Sequence, residues 1–219
     1  MSWADRLMVS LHERATVLHT SGDDDQYGAY CSHGSAGLIR REWAMSEAIR
    51  HSIEGVVVYL TEHPEEARYT DAPATAVIDR LRSSVVQPNG MVLVSDMPSA
   101  VGGGGTAPSP GSMMRAATAS CLATLIAMRA AVLSIDLTQL EVTVDSESDD
   151  RGMLGMDSEI PAGPLTTRAV VGIASDNASA EDLRALVEWA DQHSPVRDAI
   201  RRAIPTTLQV DLLGEQPPV

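Results

Sequence analysis

The stretch Pro108–Ile135, PSPGSMMRAATASCLATLIAMRAAVLSI, decides how the rest of the chain is read. From Met113 onward it is a run rich in Ala, Met, Leu and Ile without Gly or Pro, which predicts a helix that opens at a Pro-rich turn. No residue between Arg115 and Arg129 is charged. A helix apolar nearly all round is a buried helix. The uncharged run is shorter than the roughly 20 apolar residues that a bilayer crossing needs. It therefore reads as a core helix, with Cys121 at its middle. Cysteine is among the residues most often buried, so on a bare helix Cys121 reads first as a small core side chain.

Composition bounds what such a core can serve. With 219 residues the chain can hold one substantial core, or one domain plus an N-terminal extension. Acidic residues outnumber basic ones 30 to 16, for a net charge of −14. That argues against nucleic acid and against an anionic membrane surface, both of which need clustered Lys and Arg. Aromatic content is 3% with no Phe, which leaves Ala, Val, Leu, Ile and ten Met to build the interior. The two cysteines, Cys31 and Cys121, lie far apart, and the start MSWADRLMVSLHER lacks the basic end and apolar run of a secretory signal. A reducing cytoplasm with both thiols free is the expected setting.

Upstream of the core helix, Asp96–Pro110 (DMPSAVGGGGTAPSP) contains four consecutive glycines, Gly102 to Gly105. A phosphate-binding loop ends in Gly-Lys-Ser/Thr and opens straight into a helix, whereas here no Lys follows and two prolines intervene. The segment is expected to be a flexible connector. Before it, Ala74–Val86 and Met91–Ser95 read as two strands reversed at Gln87-Pro88-Asn89-Gly90, since Asn-Gly between strand-like runs favours a tight turn. Glu42–His63 spaces Met45, Ile49, Ile53, Val56, Val57 and Leu60 as one face of a helix, and the polar PEEARYTDAP follows as a linker. Trp3–His19 predicts a short amphipathic helix through Leu7, Leu11, Ala15 and Leu18, and Ser21–Gly37 a Gly-, Ser- and Asp-rich loop. His19, Asp23 to Asp25, Cys31 and His33 lie close together there, but one Cys and one or two His fall short of the four N or S ligands of a structural zinc site. No metal and no cofactor are assigned.

Downstream, Leu140–Val144 alternates as a strand, Leu165–Ala174 is its partner, and acidic Asp145–Gly163 connects them as a long hairpin. Ser179 and Asp182 form a weak capping pair for a helix whose buried stripe is Leu183, Leu186, Val187 and Ala190. His193-Ser194-Pro195 breaks that helix, because Pro removes a backbone donor and disfavours helix at the preceding residue. Helix resumes over Val196–Ala203, and Thr206–Leu212 (TTLQVDL) reads as a final strand. Two strands, a buried helix, two strands, a broken helix and a last strand make an α+β pattern.

From about Ala74 to Leu212 this order resembles the family of osmotically inducible protein C and the organic hydroperoxide resistance proteins, OsmC/Ohr. Four features carry the resemblance: Ala-Thr-Ala followed four residues on by Arg80, the Gly-rich connector before Ser109-Pro110, the Ala-rich helix with Cys121 eleven residues after that proline, and the interruption His193-Ser194-Pro195-Val196. The chain then divides into an N-terminal helical extension with a loop, 1–70, and an OsmC-like domain, 71–219. The resemblance implies an antiparallel sheet with long central helices in an intertwined homodimer, with active sites at the subunit boundary. It also implies reduction of organic hydroperoxides by a thiol on the central helix, aided by an Arg from an early strand, a Glu just after the helix-opening Pro, and a second Cys in a Cys-Pro step. Residue by residue, Cys121 matches the reactive thiol and Arg80 the cation, with Arg82 a second candidate, while Ser194 stands where the second Cys would be and Gly111 where the Glu would be.

Those two departures shape the functional expectation. A serine cannot close an intramolecular disulfide, and Cys31 has no counterpart in the family motif. One reading is a one-cysteine thiol peroxidase, in which Cys121 is oxidised by a peroxide and an external thiol restores it. A second is a non-catalytic dimer whose apolar cleft binds a small hydrophobic molecule, with Cys121 as packing. A third is a structural or interaction role for the N-terminal helices.

Overall fold

The computed structural model describes residues 35–202 and 204–212, with side chains from residue 46 onward. The expected helix at Trp3–His19, the first part of the following loop, and Cys31 and His33 lie outside them.

Helix α1, Ser35–Glu62, begins earlier than the apolar spacing suggested. Its half-buried stripe is Arg50, Ile53, Val56 and Leu60, while Val57 and Val58 are exposed. A short 3₁₀ turn, Pro64–Ala67, leads into three antiparallel strands: β1 Thr75–Asp79, β2 Arg82–Val86 and β3 Val92–Asp96. The run Ala74–Val86 is thus two strands and not one. It reverses at Arg80-Leu81, pairing Asp79 with Arg82. Arg80 takes φ +55°, at the first central position of the two-residue turn. A turn of this kind usually carries Gly, Asn or Asp, so the residues at this reversal give no turn signal. The reversal at Gln87–Gly90 is where Asn-Gly places it, with Gly90 at φ +82° and Val86 paired with Val92.

The connector at Gly102–Gly105 does not run free. Ser99–Val101 makes a 3₁₀ turn capped by Gly102 at φ +89°. A Cβ at Gly103 would lie 1.9 Å from the Met97 carbonyl oxygen, so only glycine fits there. Gly104 and Thr106 then donate to the Asp96 carboxylate.

Helix α2, Pro110–Leu133, is the central element. Ser109 caps it by accepting from the Ser112 N–H, Pro110 occupies its first turn, and Ser134 ends it in the left-handed region with its N–H returned to Ala130 and Ala131. By length and composition it is apolar enough to cross a membrane, yet here it is the core helix of an α+β domain. Leu122, Ile126 and Ala130, spaced by four, face Leu186 and Ala190 and are flanked by Leu140, Val142, Val171 and Ile173. Each fully buried Leu or Ile in that set contributes on the order of 1.5–3 kcal/mol. Only one stripe is covered, however: Met128 and Leu133 are exposed, and 28% of the apolar window is buried. The expectation of a helix enclosed on every side is not met within one chain.

Strand β4, Leu137–Glu147, pairs antiparallel with β5, Thr166–Ser175, as a separate two-stranded sheet. The acidic connection between them contains one helical turn, α3, Asp150–Met153. Helix α4, Ala180–His193, opens on a full capping box in which Asp182 does what Glu or Gln usually does. Helix α5, Pro195–Arg201, follows directly. The expected last strand at Thr206–Leu212 is not formed. The segment has no ladder partner among the described residues, and Leu208 is 91% exposed.

Candidate active site at Cys121 and Ser194

Cys121 is a free, half-buried thiol on α2, beside the buried Leu122. Across from it the α4–α5 break presents Ser194, whose side chain is fully buried. The two meet with Sγ and Oγ 3.2 Å apart. The break itself explains how a residue 73 positions away arrives there. Pro195 cannot continue α4, so Ser194 leaves the helical region (φ −71°, ψ 114°) and becomes the N-cap of α5, turned inward.

The Ser194 oxygen accepts the Arg197 N–H at 3.3 Å. A hydroxyl that accepts through its oxygen still has its own hydrogen to give. The atom in reach is the Cys121 sulfur. The elbow is held from outside by Asp191, whose carboxylate pairs with Arg197 and Arg201 and whose carbonyl accepts from Arg201 at 2.9 Å. Beside this elbow lies a cavity of about 300 Å³ lined by Leu122, Ala169, Val171 and Val187 together with the polar Glu188, Asp191, Gln192 and Arg197.

The arginines expected near the thiol are elsewhere in the single chain. Arg80 sits exposed at the β1–β2 tip, and no guanidinium donates to Cys121 among the described residues. Arg82 instead donates to Thr106 Oγ1 at 2.7 Å, and that hydroxyl donates to Asp96 at 2.8 Å. Asp96 is buried, and the backbone N–H and then the hydroxyl of Thr106 hold its carboxyl below the usual carboxylate range. Arg115, nearer the start of α2, is spent on Ser112 and on Ser146 of β4. Gly111, where the resemblance led to the expectation of a Glu position, brings no side chain.

Arg197 and Asp96 are site residues that no motif in the sequence marks. Arg197 is three residues beyond an inward N-cap, the position whose N–H such a cap serves, so its backbone role was readable once Ser194-Pro195 was taken as a helix start. Asp96 had no comparable signal, because its partners come from a loop that gains its shape only by wrapping the carboxylate. Apart from this site, His63, Glu65 and Glu66 bring ligand atoms within 4.8 Å of one another at the end of α1. Exposed acidic groups gather this way without an ion, and the His19 to His33 cluster lies outside the described residues.

The OsmC-like protein family matches the chain over residues 102–209. No curated protein matches it. Among solved structures, an OsmC-like protein from Mycoplasma pneumoniae is similar with a TM-score of 0.52 at 13% identity, covering 61% of this chain and 89% of its own. An OsmC-like protein of unknown function from Vibrio cholerae gives 0.51 at 10% identity, covering 60% and 94%. An organic hydroperoxide resistance protein from Legionella pneumophila gives 0.47 at 23% identity, covering 61% and 91%. The first two share the fold.

Proposed function

Residues 102–209 make this chain a divergent OsmC-like protein, and on that premise we propose that it is a one-cysteine, thiol-dependent reductant of organic hydroperoxides. The observation that carries the reading is the contact between Cys121 Sγ and the buried Ser194 Oγ. Where a second thiol would resolve the oxidised cysteine, this chain sets a hydroxyl whose hydrogen is free for the sulfur. A hydrogen bond donated to a thiolate favours the nucleophilic form.

The chemistry balances with an external thiol as reductant. The Cys121 thiolate attacks the terminal peroxide oxygen, the O–O bond breaks, and with one proton an alcohol leaves and Cys121 becomes a sulfenic acid. One external thiol condenses with it to a mixed disulfide and water. A second releases Cys121 as the thiol and leaves as the external disulfide. Ser194 takes no electrons in this cycle.

The cation belongs to the same proposal. The β1–β3 sheet carries exposed Val77, Ile78, Val92 and Leu93, and α2 is covered on one stripe only. In a homodimer the sheet of one subunit covers the open side of the other's central helix, and Arg80 at the hairpin tip reaches Cys121 of the partner subunit. A cytoplasmic setting suits a free thiol restored by small thiols.

The test is peroxide treatment followed by mass spectrometry. Cumene hydroperoxide should add oxygen to the peptide containing Cys121, with sustained turnover only when a thiol such as dithiothreitol is present. Cys121→Ser should abolish both effects, and Cys31→Ser should leave them. If Cys121 stays reduced under peroxide that oxidises an ordinary exposed thiol, the redox reading is wrong. In that event the second reading stands, a non-catalytic dimer that binds a small hydrophobic molecule against the Leu122, Val171 and Val187 side of the cavity beside the elbow.

A further inference from the structure

A second cavity, of about 530 Å³, opens where the C-terminal end of α2 meets the start of α4. Leu133, Ile135 and Leu186 give it apolar walls, and Arg129 and Trp189 face each other across one side. Its volume falls in the range of roughly 300–1,000 Å³ typical of small-molecule sites. The polar groups of its walls are almost all spent. Asn177 donates to the Ser134 carbonyl and to Asp136, and its own oxygen accepts the Asp136 N–H and the Ser175 hydroxyl. Ser134 Oγ accepts from Arg50. The Asp182 carboxylate is turned to the Ser179 N–H and hydroxyl in the capping box.

Arg129 differs from all of these. Its guanidinium lies over the Trp189 ring, 4.6 Å from the centroid, and it donates no hydrogen bond among the described residues. A cation over a ring face keeps its N–H donors for other partners. The ring is fixed in turn, since Trp189 stacks on His193 at 4.1 Å and its carbonyl lies 2.7 Å from His193 Nδ1. A guanidinium held over the ring, with its donors unspent among the described residues and apolar walls beside it, fits a carboxylate at one end of an apolar body.

We infer that this cavity binds a small organic carboxylate, held by Arg129 in a two-pronged ion pair with its hydrocarbon part against Leu133, Ile135 and Trp189. The site is separate from Cys121 and does not depend on its chemistry.

Titration calorimetry with benzoate and octanoate, using benzyl alcohol as the neutral control, tests this on the full chain. Both carboxylates should give saturable heats and benzyl alcohol none, and Trp fluorescence should change in parallel through Trp189. Arg129→Gln should weaken benzoate by about tenfold or more, the loss of a charge-assisted pair, with the far-UV circular dichroism unchanged. Trp189→Phe should remove the fluorescence change while leaving a measurable heat. Cys121→Ser should bind benzoate as the parent does, which separates this outcome from that of the peroxide experiment. The inference is overturned if no saturable heat appears at millimolar carboxylate, if benzyl alcohol binds as benzoate does, or if Arg129→Gln binds benzoate unchanged.

Discussion

Ser194 does two things with one hydroxyl: its oxygen caps α5, and it meets the Cys121 sulfur at 3.2 Å, where the proposed function has it donate to the thiolate. Replacing it separates the two. Ser194→Ala removes the cap, at a cost of about 1 kcal/mol in a denaturant titration, and removes the donor at the sulfur. A single hydrogen bond is worth about 1 kcal/mol, so iodoacetamide should alkylate Cys121 about fivefold more slowly at neutral pH. Ser194→Cys should instead oxidise to a disulfide with Cys121, read as the loss of two titratable thiols. With 73 positions between them, closing that loop should add about 4 kcal/mol to the oxidised protein's stability if the geometry is met without strain. Asp96 predicts an acid sensitivity of definite sign. Its folded-state carboxyl is held down by Thr106, so its stabilisation is present above the unfolded value of about 3.9 and is lost as pH falls through the lower folded value. Acid unfolding followed by circular dichroism should show this loss below about pH 4. Asp96→Asn should be less stable at neutral pH and have a flatter acid limb.

At the scale of elements, α2 carries the domain through one stripe. Ile126 is fully buried between α2, α4 and the β4–β5 sheet, so Ile126→Ala should cost about 2–5 kcal/mol in urea unfolding, the transfer term plus the cavity left behind. Ala127→Ser, one residue away on the exposed face, should cost far less. The α2 stripe, the β4–β5 pair and the capped α4 were legible because their signals are periodic and local: apolar residues four apart, alternation by two, a cap followed three residues later by an acid. The β1–β2 reversal was not. Arg80-Leu81 carries none of the usual turn residues, and what makes the turn there is the pairing of Val77 with Ser84 and Ile78 with Ser83 on either side. The glycine connector was misread for a related reason. Four glycines in a row allow almost any path, and the Asp96 carboxylate selects one.

For the whole molecule the question is what covers the apolar surface one chain leaves open. Among the described residues Val77 and Ile78 are 64% and 66% exposed on the β1–β3 sheet, and Met128 is exposed on the central helix. Burial of such patches against a second copy is the expected outcome. Light scattering at micromolar concentration should give twice the 23.3 kDa of one chain, and Ile78→Asp should shift the population toward monomer. A monomeric mass for the unmodified protein would rule out the subunit-boundary placement of Arg80.

Taken alone, the sequence determined the α+β class, the position of the central helix and the break at Ser194-Pro195, because each follows from short-range pattern. The resemblance to the OsmC/Ohr family is what implies that Ser194 and Gly111 stand where a thiol and a carboxylate would otherwise act. The tertiary structure alone decided that Ser194 Oγ lies 3.2 Å from Cys121 Sγ, that Arg82 donates to Thr106, whose hydroxyl donates to Asp96, and that Arg129 lies over Trp189 with no hydrogen bond donated among the described residues. Those contacts join residues tens of positions apart, and no local periodicity encodes the packing angle between two helices or the path of a loop around one buried carboxylate.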